Sequence, residues 1–105
     1  NRIIDTGEGQ RDWESAESML RTDELYRWGV IVEHNTNPVE KGSGSCIFLH
    51  TWRSAKEGTA GCTAMEQGSL KRLMEWLRYE SHPHLVQLTK ASYIRLKSEW
   101  GLPKL

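Results

Sequence analysis

The residues able to do chemistry in this 105-residue chain are two cysteines, Cys46 and Cys62, and four histidines, His34, His50, His82 and His84. His50 and Cys62 flank an eleven-residue loop, 51–61, within CIFLHTWRSAKEGTAGC. A cysteine nucleophile reacts as its thiolate, and a free thiol with a pKa of about 8.5 is scarcely ionised at neutral pH. It therefore needs a base or a nearby positive potential. His50 can supply the first if the loop folds back. The helix expected a few residues after Cys62 can supply the second through its N-terminal dipole. Gly61 permits a tight turn beside the nucleophile, and the backbone N–H groups of Gly61 and Cys62 could form an oxyanion hole.

Other arrangements of the same residues stay open. Cys46 and Cys62 could pair as one disulfide, although two cysteines make no disulfide framework. A metal site could use Cys46, His50 and Cys62 with His34, His82 or His84 as the fourth ligand. Against it, the chain has no CxxC or HxxxH pair, and Cys46 and His50 in one extended strand lie about 13 Å apart. The order Cys62 then His82 or His84 is also available, but His82-Pro83-His84 reads more simply as an exposed turn entering a strand. Cys46 itself reads as a small core residue.

The elements that must position these groups follow from periodicity. RDWESAESMLRT, 11–22, places Trp13, Ala16 and Leu20 on one face of a short surface helix. YRWGVIV, 26–32, is aromatic and β-branched and predicts a buried strand, with Gly29 marking a bulge or close contact. A loop rich in Asn, Pro, Gly and Ser follows, then the strand CIFLH, in which Cys46, Phe48 and His50 share one face and Ile47 and Leu49 the other. Leu70, Leu73, Met74 and Leu77 form the apolar stripe of an amphipathic helix starting near Glu66, which leaves Lys71, Arg72 and Arg78 in solvent. HLVQL, 84–88, predicts a third strand. Thr89 is an N-cap for a terminal helix to about Trp100, ended by Gly101 and Pro103. The fold class is α+β, a few strands in a sheet with helices beside it.

Composition narrows the function classes. The chain is 37% hydrophobic and 27% charged, with five tryptophans and no low-complexity tract, as one globular domain over 1–105 would be. Fourteen basic residues balance fourteen acidic ones, so no broad electrostatic footprint for nucleic acid or anionic membrane exists. No apolar run approaches a bilayer span, and no membrane span is expected. The opening Asn1-Arg2-Ile3-Ile4-Asp5 runs at once into core-type residues without a methionine or leader, which is expected of a processed product or a piece of a larger domain.

The block GSCIFLHTWRSAKEGTAGCTAM, followed by LKRLMEWL and HLVQL, resembles the catalytic core of the YkuD-type L,D-transpeptidase family. The likeness is closer to a bacterial branch with LYRWGVIVEHN, a Gly/Ser-rich loop, CIFLH and TAGC in this order, and it runs from NRIID to WGLP. The family signature, a histidine, a loop and Ser/Thr-x-Gly-Cys, stands here as His50 and Thr59-Ala60-Gly61-Cys62. The resemblance implies a mixed β-sheet or sandwich with flanking helices, of which this chain is the C-terminal part, with N-terminal strands missing. It implies Cys62 as nucleophile and His50 as general base in acyl transfer on peptidoglycan stem peptides. Water as acceptor gives L,D-carboxypeptidase activity, and an amine gives cross-linking.

No metal or organic cofactor is implied. Carbapenem acylation of the cysteine and a periplasmic or secreted location in the cell envelope are. A further N-terminal segment of the same domain is an implied partner. Ala60 and Ala64 stand where the common motif has histidine and arginine, and Arg53 is the nearest replacement for the latter. Trp52, Arg53, Thr59 and Asn35 are candidate substrate-binding residues, although Trp52 could equally pack over the loop, Arg53 be solvated and Asn35 serve a turn. The alternative function is a non-catalytic wall-binding or interaction module retaining the fold.

Overall fold

The computed structural model describes residues 3, 4, 7 and 13–104. Three short strands form one mixed sheet in the order β1 (Gly29–Ile31), β2 (Phe48–Thr51), β3 (Thr63–Met65). β1 and β2 are antiparallel with Gly29 opposite His50 and Ile31 opposite Phe48. β2 and β3 are parallel with Leu49 opposite Thr63 and His50 opposite Ala64. Two helices, α1 (Gln67–Trp76) and α2 (Lys90–Leu96), complete an α+β fold.

The β2 strand is the centre of the molecule. Phe48, Leu49 and His50 are buried, and Leu70 of α1 is fully so. These residues bury because β2 has a neighbour on each edge and α1 against it. Gly29 lets β1 come close: a Cβ there would stand 3.2 Å from the Leu49 carbonyl oxygen. The expected close contact at Gly29 is thus real. Pairing extends one step past β1, where the Val32 N–H donates to the Ile47 carbonyl.

The α1 helix matches its sequence stripe. Leu70 is sealed, Leu73 and Met74 are half-buried, and Leu77 is the C-cap. The Lys71 ammonium lies 4.8 Å from the Trp28 ring centroid, so its stem covers apolar surface while its charge meets the ring. The α2 helix starts where Thr89 predicts, with the Ser92 N–H donating to the threonine hydroxyl. It is shorter than expected, passing into turns from Lys97 to Gly101, where Gly101 takes a left-handed φ of 61°.

Three expectations are corrected. Residues 11 and 12 lie outside the described residues, and 13–22 form no helix. Ala16 and Leu20 of that stripe are exposed, Leu20 at 94%, and so short a helix is marginal in water without a buried face. HLVQL forms no strand: Leu85 and Val86 are exposed, and the place beside β2 belongs to Thr63–Met65. The Gln87 amide instead tethers this segment to β3 by donating to the Thr63 hydroxyl at 2.6 Å. Cys46 is exposed and lies outside β2 with a left-handed φ of 54°, so it is a turn residue and not core packing.

Candidate functional site

β2 ends by placing His50 in the interior with its Nδ1 2.8 Å from the Thr51 carbonyl oxygen. A carbonyl oxygen only accepts, so this hydrogen bond puts the proton on Nδ1 and leaves Nε2 with a lone pair. That tautomer is the one a base acting through Nε2 requires. Above the imidazole sits Tyr26, ring centroids 4.8 Å apart and edge-on, and Phe48 flanks it at 5.3 Å.

Cys62 is the residue just before β3. Ala64 faces His50 across the parallel ladder, and Cys62 lies two residues earlier in the bend that leads into β3. At rest the Cys62 Sγ is turned to the Cys46 carbonyl oxygen at 3.3 Å. Among the described residues no hydrogen bond joins Sγ to His50.

The two expected backbone aids stand differently. Thr59 organises the turn: its hydroxyl donates to the Cys62 carbonyl and accepts from the Gly61 N–H at 3.3 Å. The Gly61 N–H is therefore already engaged. The α1 N-terminus is separated from Cys62 by the whole of β3, about 13 Å of extended chain, whereas a helix dipole acts within its first turn. The helix does not activate this thiol, which corrects the sequence expectation.

Of the substrate-binding candidates, Trp52 is half-buried and prolongs the ladder, its N–H donating to the Met65 carbonyl. Arg53 reaches Asp23 at 3.3 Å and Glu57 at 3.2 Å. Asp23 also receives a two-pronged contact from Arg21, which holds its carboxyl well below the usual carboxylate range. Asn35 closes the 35–44 loop, its amide donating to the Glu40 and Gly44 carbonyls while its oxygen accepts from the Glu40 N–H. His34 Nε2 lies 2.6 Å from the Ser43 carbonyl, within the same loop. This loop bounds an open hollow of about 370 Å³ beside Lys41 and Ser45.

Neither metal nor disulfide chemistry gains a cluster. Among the described residues no group of three His, Cys, Asp or Glu side chains could hold a metal, and both cysteines are free. His82 is a left-handed turn residue after a 3₁₀ turn at Tyr79–Ser81, and both it and His84 are exposed. Tyr26 and the Thr51 carbonyl are site groups that sequence reasoning missed. Tyr26 was legible only as an aromatic at the head of YRWGVIV, and a carbonyl leaves no mark in a sequence.

Among the described residues no helix is long and apolar enough to cross a membrane. Compared with protein-family models, with curated proteins and with solved structures, the chain finds no match.

Proposed function

We propose that the chain is the motif-bearing part of an L,D-transpeptidase-like domain that performs cysteine-dependent acyl transfer on peptidoglycan stem peptides. The observation that carries this reading is the buried His50 imidazole with its Nδ1 proton on the Thr51 carbonyl, beside the strand that Cys62 leads into. His50 Nε2 takes the thiol proton, and the thiolate attacks the carbonyl carbon of the third stem residue, a diamino acid at its L centre. The C–N bond breaks, the Nε2 proton passes to the departing D-alanine amine, and a Cys62 thioester remains. His50 then deprotonates water or an amine acceptor, which attacks the thioester and releases the thiol. The cell envelope is the compartment where such a substrate is met.

Intact-mass spectrometry of the folded protein with a stem tetrapeptide is the test. A mass gain of the tripeptide acyl group, mapped to Cys62 and absent from Cys62→Ala, is expected. A folded protein without the adduct removes the enzyme reading. Peptidoglycan digests treated with wild type and Cys62→Ala then separate hydrolysis from cross-linking. A second reading, a wall-binding module without catalysis, is favoured by the resting contacts of the Cys62 thiol and the Gly61 N–H. It predicts equal stem-peptide binding by wild type and Cys62→Ala, with no adduct on either.

A further inference from the structure

Tyr26 lies outside β1, half-buried, and is held on every side. Its ring meets Phe48 at 4.9 Å and 89° and His50 at 4.8 Å and 66°, both edge-on arrangements that aromatic quadrupoles favour. Its hydroxyl donates to the Glu17 carboxylate at 2.9 Å, and the Arg21 guanidinium sits 4.7 Å from its centroid. The segment that fails to become a helix is thus the one that supplies Glu17 and Arg21.

A single carbonyl contact fixes one nitrogen of an imidazole but leaves the ring free to tilt about that bond. A second surface against the ring plane removes this freedom. We propose that Tyr26 is a positioning residue for His50, its ring clamping the imidazole in the orientation that keeps Nδ1 on the Thr51 carbonyl and Nε2 free as acceptor. The assignment rests on His50 as the base in the proposed reaction. Electrostatics agree with the placement. Burial pushes the Tyr26 phenol above its ordinary value and the Glu17 hydrogen bond adds to this, against a smaller opposing effect of the Arg21 charge. Tyr26 therefore stays neutral while touching His50.

The experiment compares Tyr26→Phe, Tyr26→Leu and Arg21→Ala in the full chain. Two readouts are taken: the His50 tautomer by ¹⁵N NMR, and kcat and KM for acylation of Cys62 by a stem tetrapeptide. Tyr26→Phe keeps the ring and is expected to hold the Nδ1–H tautomer and wild-type kcat. Tyr26→Leu is expected to lose the tautomer preference and about ten- to a hundredfold in kcat, with KM little changed, as loss of orientation alone would do. Arg21→Ala removes the guanidinium packed against the Tyr26 ring and so loosens that ring without truncating it; it moves both readouts in the same direction by less, and decides the matter if Tyr26→Leu does not fold. An unchanged tautomer in Tyr26→Leu, or in Arg21→Ala when that variant stands in, overturns the proposal. So does a Tyr26→Phe defect as large as that of Tyr26→Leu, which would assign the role to the hydroxyl. If wild type forms no adduct, the enzyme reading fails alone, since the tautomer measurement still judges Tyr26.

Discussion

At the residue scale, the site is a buried histidine whose two nitrogens have been given different tasks. The Thr51 carbonyl fixes the proton on one, which leaves the other with its lone pair. Tyr26 makes this arrangement sensitive to alkali. Its phenol is pushed up, first by burial and then by Glu17, so the folded chain holds the proton to a higher pH than the unfolded chain does. The associated stability is complete below about pH 10 and is lost as pH rises through the folded value. Thermal melts between about pH 9 and 12 should show a steeper alkaline decline for wild type than for Tyr26→Phe. Parallel curves would mean that Tyr26 ionises equally easily in both states. Cys46 shows the opposite kind of residue effect, an L side chain held at a left-handed φ so that its carbonyl can receive the Cys62 thiol.

At the element scale, what could be read in advance was what rests on local pattern. The α1 stripe and the Thr89 cap are visible because 3.6-residue periodicity and a hydroxyl before a helix act over neighbouring residues. Thr89→Ala is expected to cost about 1 kcal/mol, measured by urea unfolding, because the Ser92 N–H loses its acceptor. A Thr89→Asn variant should recover most of that. What could not be read depended on partners distant in sequence. β3 is three residues, TAM, with no alternation to announce it, and it exists because β2 offers an open edge. HLVQL has the better strand composition and loses that edge. Residue type and spacing single out His50 and Cys62 as candidates, whereas the remoteness of Cys62 from α1 could not be read, because β3 had to be known first.

At the scale of the whole molecule, the core is small for the chain. Among the described residues three apolar side chains are buried, while Trp76, Tyr79, Ile94 and Trp100 are each more than half exposed. The accessible surface is 9081 Å², against about 6,000 Å² expected for a folded monomer of this mass. The radius of gyration is 15.9 Å where about 13 Å is usual for this length. Unfolding therefore exposes less new surface than it would in an ordinary domain, about three quarters as much. The urea m-value scales with that surface and should be lower by about a quarter than for other proteins of similar length. An m-value at the ordinary level would show that the chain in solution buries more than this structure does.

The parallel pairing of β2 and β3 has a bearing on how such a site can vary through descent. In a hairpin, the turn dictates which residues face each other, and one inserted residue turns a strand over. Here residues 52–62 cross from one end of β2 to the start of a parallel neighbour, and the ladder rather than the connection decides that Ala64 faces His50. The exposed stretch from Ala55 to Gly58 is thereby released from any duty to keep His50 opposite Ala64. Drift in its length or composition can reshape what passes over His50 while the ladder beneath it is inherited unchanged.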